Sequence, residues 1–422
     1  MTTTAATAVP IDSAAHAAGG STAAAAAPTR FRALDVFRGA TVALMIVVNN
    51  PGSWSALFPP LAHATWHGCT PTDLVFPFFL FAVGNALAFT MPGLQQATAA
   101  HFTRKLLQRT LLIFGIGLLL NAAPFVRWDA QGDLVARDWT SLRLMGVLQR
   151  IALAWCLAVL LLRFSRGRAV LAWVAALLLA YWAACVAFGT PGDAYSLNGW
   201  FGTAWDARLL GSSHLYRGEG LPFDPEGLAS TVPAVAQVLL GYWIGEQLRR
   251  APPNPAAVMQ LFLAAVALGL LAYAWQLLMP INKKIWTGSY VLLTTGLAIA
   301  SLASLVALID LRGPRSKDGQ HGRRGEGGPV LVFCEVFGKN ALFVYAMSGL
   351  IPRLQGLLRW PDGLAAEGQP RWITPMDWAW RALFQPLAAD ARIGSLLFAL
   401  ANLAGYWALA WWLDRQRLYL KV

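Results

Sequence analysis

The sequence predicts an all-α polytopic membrane bundle of about ten transmembrane helices with both termini cytoplasmic. Composition is the first observation behind this: 57% of the 422 residues are hydrophobic, only 13% are charged, and the mean hydropathy is +0.50, well above what mixed-composition soluble chains show. The second is a series of apolar stretches long enough to cross about 30 Å of hydrocarbon, at roughly 32–50, 70–91, 105–121, 144–163, 169–188, 230–248, 256–279, 287–310, 330–351 and 393–413. The third is the distribution of Lys and Arg. With the amino terminus inside, 19 of the 33 fall on the cytoplasmic side and 12 on the other, while Arg150 and Lys339 fall within spans. That bias has the sense of the positive-inside rule.

Each segment then takes its place in chain order. Residues 1–30, rich in Ala and Thr with no basic residue before Arg30 and no Leu-rich core, are expected to form a disordered cytoplasmic tail rather than a signal peptide. Residues 31–422 form one transmembrane domain. The orientation puts the connection 61–73, the loop 189–229, the pair Lys283–Lys284 and the Trp-rich segment 353–390 on the extracytoplasmic side. The stretch 311–329, "LRGPRSKDGQHGRRGEGGP", reads as a basic, flexible cytoplasmic connector. "GYWIG" at 241–245 spaces two glycines four apart within a span, a packing signal between membrane helices; a homodimer is admitted as a partner. The net charge of +12 does not point to nucleic acid, because the basic residues are scattered through short loops instead of gathered on one soluble face. The partners expected are the lipid bilayer and a small-molecule substrate, not nucleic acid. Four cysteines, Cys69, Cys156, Cys185 and Cys334, show no CxxC spacing and build neither a disulfide framework nor a structural zinc site.

Polar groups in or beside lipid are costly and are therefore the functional candidates. Asn49 and Asn50 close the first span, His63 and His67 follow it, and Asp73 opens the second. Were 63–67 helical, the two histidines would share a face as metal ligands do. A metal needs a third ligand, however, and only Asp73, His214, Asp224 or Glu226 could supply one, so no metal is expected. His67 reads as a hydrogen-bonded interfacial residue beside Trp66. Asp73 either orients a base or caps its helix. Asp224 and Glu226 either bind a substrate or are plain loop acids. Arg150 lies deep in a span and needs a carboxylate, helix ends or a phosphate as partner.

Seven stretches taken together carry more: "LDVFRG" (34–39), "VNNPG" (48–52), "HATWHGCTPTDLVFPFFLFAVG" (63–84), "LRLMGVLQRIAL" (142–153), "FDPEGLASTVPA" (223–234), "PINKKIWTGSYVLLTTG" (280–296) and "FGKNALFVY" (337–345). In this order they resemble the heparan-alpha-glucosaminide N-acetyltransferase family and its bacterial relatives, from about Leu34 into the last span. The resemblance implies a transmembrane acyltransferase-like domain over 31–422. It implies a multi-pass protein of the cell inner membrane that moves an acetyl group from cytoplasmic acetyl-CoA, the co-substrate, to the amine of an extracytoplasmic amino sugar. It also implies roles for two residues: the active-site histidine matches His63 and the active-site asparagine matches Asn49. His67 falls at a variable position of its word, which argues against a two-histidine metal site. The large extracytoplasmic amino-terminal domain of the family is expected to be absent.

The chemistry suits these residue types. An amine must be neutral to attack a thioester, and imidazole is the usual group to take its proton near neutral pH. An Asn side-chain NH can donate to the oxyanion of the tetrahedral intermediate, and an acetyl-histidine intermediate would use the same residues. The expected catalytic set is therefore His63, Asn49 and Asp73. The expected acceptor-binding set is Asn50, Trp66, Asp224, Glu226, Lys283, Lys284 and Trp286, the two lysines standing out because they break the positive-inside rule. The expected set for acetyl-CoA is Arg38, Arg104, Arg109, Arg150, Lys339 and Asn340, although a local Asp35–Arg38 pair and the positive-inside rule explain several of these without a ligand. No GxGxxG or GxxxxGK[ST] word occurs, so span ends and loops would have to hold any nucleotide. The competing class is an amino-sugar transporter, which fits ten spans with polar residues at mid-depth but needs no base at His63.

Overall fold

A computed structural model describes residues 31–129, 131–250, 253–311, 328–364 and 370–420. The expected tail and nearly all of the basic connector lie outside the described residues. The chain is built from α1 (Arg32–Asn49), α2 (Val75–Gln96), α3 (Ala99–Ala122), the hairpin β1 (Val126–Trp128) and β2 (Leu134–Ala136), α4 (Val147–Phe164), α5 (Arg168–Phe188), α6 (Phe201–Leu210), α7 (Thr231–Arg250), α8 (Pro255–Trp275), α9 (Gly288–Leu305), α10 (Pro329–Lys339), α11 (Ala341–Gln355), the hairpin β3 (Trp360–Leu364) and β4 (Pro370–Ile373), α12 (Pro375–Ala379) and α13 (Ala391–Arg415).

Helix starts follow local chemistry. Thr70 and Asp73 form a reciprocal capping box ahead of α2, with Pro71 in the first turn; this satisfies orphan N–H donors where the chain enters the span. Thr98, Asn254 and Asp390 accept from backbone N–H groups at the starts of α3, α8 and α13, the usual N-cap arrangement. Among the described residues, seven helices are long and apolar enough to cross a membrane: α2 with its lead-in turn, α3, α4, α5, α8, α9 with its π-helical extension to Leu311, and α13.

The stretch 330–351, expected as one span, is two helices. They meet at Asn340 with a bend of 80°. Asn340 is buried; its amide donates to the Leu418 carbonyl and its oxygen accepts from the Leu420 N–H, so the side chain ties the break to the chain after α13. The two hairpins and the short α6 and α12 were likewise not expected. They lie in the segments between spans and leave the bundle itself all-α.

The "GYWIG" glycines are used inside the chain. A Cβ on Gly241 would stand 2.3 Å from the Phe81 carbonyl oxygen, and one on Gly245 2.8 Å from the Asn85 Cα. α2 and α7 therefore pack backbone to backbone, as small residues permit, and the motif gives no support to a homodimer. Around this pair a continuous core joins α2, α4, α5, α7 and α9 through Leu80, Leu87, Trp155, Val159, Leu178, Leu239 and Tyr290.

Candidate active site

A group of charged and polar side chains meets where α1 ends and α2, α4 and α7 begin. A cavity of about 440 Å³ opens there, lined among others by Asn49, His63, Asp73, Arg143, Glu226, Lys283, Trp286 and Tyr345. A second, of about 400 Å³, shares Asn49, Val147 and Tyr345 with it and extends past Asn50, Asn121, Gln149 and Arg353.

His63 lies in irregular chain, not in a helix, so the condition for a shared histidine face is not met. Its Nδ1 is 2.7 Å from Asp73 Oδ1. His67 instead turns its Nδ1 to Asn282 Nδ2, 3.3 Å away, and burial lowers its pKa. Asp73 is 1% exposed. Its Oδ2 accepts from the N–H of Ala64 at 3.1 Å, the N–H of Thr70 at 3.0 Å and the Thr70 hydroxyl at 3.1 Å, while its backbone carbonyl accepts from the Tyr290 hydroxyl at 2.6 Å. One carboxylate thus both caps α2 and holds the imidazole. Because a carboxylate only accepts, the Nδ1 contact requires Nδ1–H, and the lone pair then sits on Nε2. The His63 side chain is 45% exposed, and no described protein donor meets Nε2.

Asn49 is the last residue of α1 and is exposed to the cavity; no described group occupies its side-chain amide. Asn50 differs. It is buried, donates to the Ile46 carbonyl at 2.9 Å and lines the second cavity.

The pair Asp224 and Glu226 has a partner that sequence reasoning missed. Arg143 reaches Asp224 through Nε at 2.9 Å and Nη2 at 2.7 Å, bonds Glu226 as well, and lies over the Tyr216 ring at 4.9 Å. Burial opposes the guanidinium charge, but the two acids outweigh it and carry its pKa above the usual arginine range. Burial would likewise push the Glu226 carboxyl up; Arg143 and Arg150 reverse this, and it ends below the usual value. Glu226 lines the cavity while Asp224 lies behind it. The only sequence signal for Arg143 was its place in "LRLMG".

Lys283 and Lys284 sit on a loop pinned by Asn282, whose Oδ1 accepts from Ile285 N–H and whose N–H donates to Thr287. Lys283 Nζ is 3.0 Å from His63 Nδ1 and 3.3 Å from Asp73 Oδ1. Burial lowers its pKa, against the pull of Asp73 and Glu226. Lys284 bonds the Thr65 carbonyl and Glu219 and stands 5.6 Å from the Trp66 ring centre. Both lysines therefore have internal partners, and their breach of the positive-inside rule needs no ligand to explain it. Trp66 donates to the Tyr195 carbonyl and packs on Phe223, outside the cavity. Trp286 is buried and forms part of the cavity wall.

The set expected to hold acetyl-CoA is not gathered at either cavity. Arg150 is fully buried, donates to the Pro225 and Gly227 carbonyls and to Ser230, and lies 4.9 Å from the Trp286 ring centre. It fastens the 225–230 turn, the structural alternative to a phosphate partner. Lys339 pairs with Asp414 at 2.7 Å, Arg38 with Asp35 and the Gly338 carbonyl, and Asn340 with the chain at 418–420. Arg109 lies over the Trp155 ring at 4.7 Å, and Arg104 is on the surface. Each group on this list except Arg104 is engaged by the protein itself.

Residues 30–269 match the family model described as heparan-alpha-glucosaminide N-acetyltransferase, catalytic. A human protein named heparan-alpha-glucosaminide N-acetyltransferase is 27% identical over 341 residues, which is 68% of this chain and 50% of that protein; the mouse protein of the same name is 26% identical over 338 residues, 67% and 50% respectively. The chain spans about half the length of the curated relatives it matches.

Proposed function

Since the chain belongs to the heparan-alpha-glucosaminide N-acetyltransferase family, we propose that it transfers an acetyl group from acetyl-CoA to the amine of a glucosamine-type sugar, with His63 as general base. The observation that carries this reading is the Asp73–His63 pair at the cavity wall: Nδ1–H is committed to a buried carboxylate, and Nε2 is the atom left to accept a proton.

The step balances on these residues. The sugar nitrogen attacks the thioester carbon and a C–N bond forms. The amine proton passes to His63 Nε2, the oxyanion takes a hydrogen bond from the Asn49 amide, and C–S cleavage releases the thiolate of CoA. Asp73 stabilises the imidazolium without itself taking the proton. The cavity holds the reacting ends of the two substrates. Glu226, the acid that faces it, is placed to meet sugar hydroxyls or the incoming ammonium.

The topology that serves this reaction has ten crossings. The seven apolar helices are joined by α1, by α7 and by the bent α10–α11 pair counted as one, with both termini in the cytoplasm of a cell whose inner membrane holds the protein. The His63 end then faces outward, and acetyl-CoA is supplied from within.

Purified protein in detergent or proteoliposomes is expected to acetylate glucosamine in the presence of acetyl-CoA, and His63→Ala to lower kcat by about 10²–10⁴-fold with an unchanged elution profile. Equal activity of mutant and wild type would remove His63 from the mechanism. Sugar uptake with no acetylated product from several amino sugars would replace the enzyme by a carrier.

A further inference from the structure

The lysine beside the base is the least expected member of the cluster. Asp73 Oδ2 takes the N–H groups of Ala64 and Thr70, while Oδ1 is the oxygen that both His63 and Lys283 approach, at 2.7 and 3.3 Å. The 3.0 Å approach of Nζ to Nδ1 is consequently a contact between two donors that share one acceptor. The reverse arrangement, with Nζ donating to a bare Nδ1, would press an imidazole lone pair against the carboxylate.

The loop is held in this position at a cost. Trp286, three residues after Lys283, has φ of +52°, a left-handed conformation that a bulky residue seldom adopts. It is retained by the Trp286 N–H to Lys283 carbonyl bond at 3.1 Å and by the Asn282 bonds on either side.

We propose that Lys283 is a positioning residue for His63: by sharing Asp73 Oδ1, its ammonium keeps the imidazole neutral between turnovers, with Nδ1–H toward Asp73 and Nε2 open to the cavity. This rests on the reading of His63 as the base. Asp73 facing the imidazole alone would favour imidazolium as its counter-ion, and a base that arrives already protonated cannot take a proton. Burial works against the Lys283 charge, but the Asp73 carboxylate 3.3 Å away and Glu226 favour it; with the ammonium in place the buried carboxylate is neutralised, and a proton on His63 sets two cations against one anion. The other ionisable groups around the cavity do not alter this balance. Glu226 is paired with Arg143, and Glu219 with Lys284; burial pushes the Cys69 thiol up to about 12, so it stays uncharged. The same repulsion drives the proton off His63 after transfer.

The amino sugar titrates in the same pH range as imidazole, so the test reads the imidazole directly. Diethylpyrocarbonate modifies neutral imidazole, and its rate at His63, followed by mass spectrometry across pH 5–9, reports the neutral fraction. In Lys283→Met the midpoint is expected to rise by about one pH unit or more, a roughly tenfold slower reaction on the acid side. Lys283→Gln should do the same and Lys283→Arg should stay within a few tenths of wild type. An unmoved midpoint in whichever neutral variant elutes as wild type does overturns the proposal, as does an equal rise in Lys283→Arg. In parallel acetylation assays, a lysine that merely binds the acceptor would raise KM in Lys283→Met without moving the midpoint. Because the modification needs no turnover, wild-type protein that fails to acetylate any amino sugar overturns the enzymatic reading and leaves this measurement standing.

Discussion

The two ends of α1 differ in where their unmet polar groups face. Where α1 begins, Arg38 closes on Asp35, Arg32 on Glu335 and Lys339 on Asp414, each cation meeting a carboxylate. Where it ends, Asn49 has a free amide, His63 a free ring nitrogen and Glu226 a face on a cavity of about 440 Å³. Burial of polar groups is costly at both ends. Cations meet carboxylates at both ends, and at the first Arg32 Nη2 and Arg38 Nε stay buried with no acceptor among the described residues; only at the second do the groups left over face an open cavity, which is what a site for transient ligands requires. Polarity at a helix end is therefore a poor guide to function, and the presence of an unmet donor or acceptor facing open space is a better one.

The difference makes predictions of decreasing size. At the open end, if Asn49 serves the oxyanion as proposed, Asn49→Ala should lower kcat about 10²–10³-fold with the melting temperature in detergent unchanged; a mutant that loses stability instead would place Asn49 among the closed pairs. On the flank of the open end, Asp206 is buried with Oδ2 unpaired beside Gly227, its Oδ1 taking the Ala229 N–H at 3.1 Å, and burial pushes its carboxyl up to about 6. A carboxyl whose pKa is higher in the folded than in the unfolded chain favours folding while protonated; that contribution is complete below about 4, the unfolded value, and is lost as pH rises through 6. Asp206→Asn should thus match wild type near pH 4 and exceed it by about 2–3 kcal/mol at pH 7, readable as a melting-temperature difference that opens between those pH values. No such opening would mean that the carboxyl is compensated. At the closed end, Lys339→Met should cost roughly 1–3 kcal/mol of stability, because it removes two hydrogen bonds from the largely buried Asp414, and leave KM for acetyl-CoA unchanged. A several-fold rise in that KM would turn this pair back into a ligand site.

The helices were legible because an apolar run of some 18–25 residues has few alternatives to spanning. The bend at Asn340 was not, since hydropathy runs on through "FGKNALFVY" and only a distant partner, the chain at 418–420, makes a break affordable. The hairpins at 126–136 and 360–373 are short and carry Trp and Arg in no alternating pattern. Within the site, the roles of His63 and Asn49 came from a family resemblance, and Asp73 from its position before a helix; its carboxylate both caps that helix and bonds the imidazole. Arg143 escaped because its role depends on acids 81 and 83 residues further along the chain. Lys339, Arg38 and Arg150 show the converse: a cation in lipid signals that a partner exists, and sequence does not say whether it is a ligand or a neighbouring carbonyl or carboxylate.

The backbone contact of α2 with α7 has a consequence for how far a mutation can reach. α2 begins beside Asp73, and α7 begins after the turn that carries Glu226. A single methyl at Gly241, meeting Phe81 about two helical turns or some 12 Å along α2 from Asp73, would wedge the two rods apart. His63 and Glu226 would then drift out of register, so the proposed reaction should be sensitive to a residue that lines neither cavity.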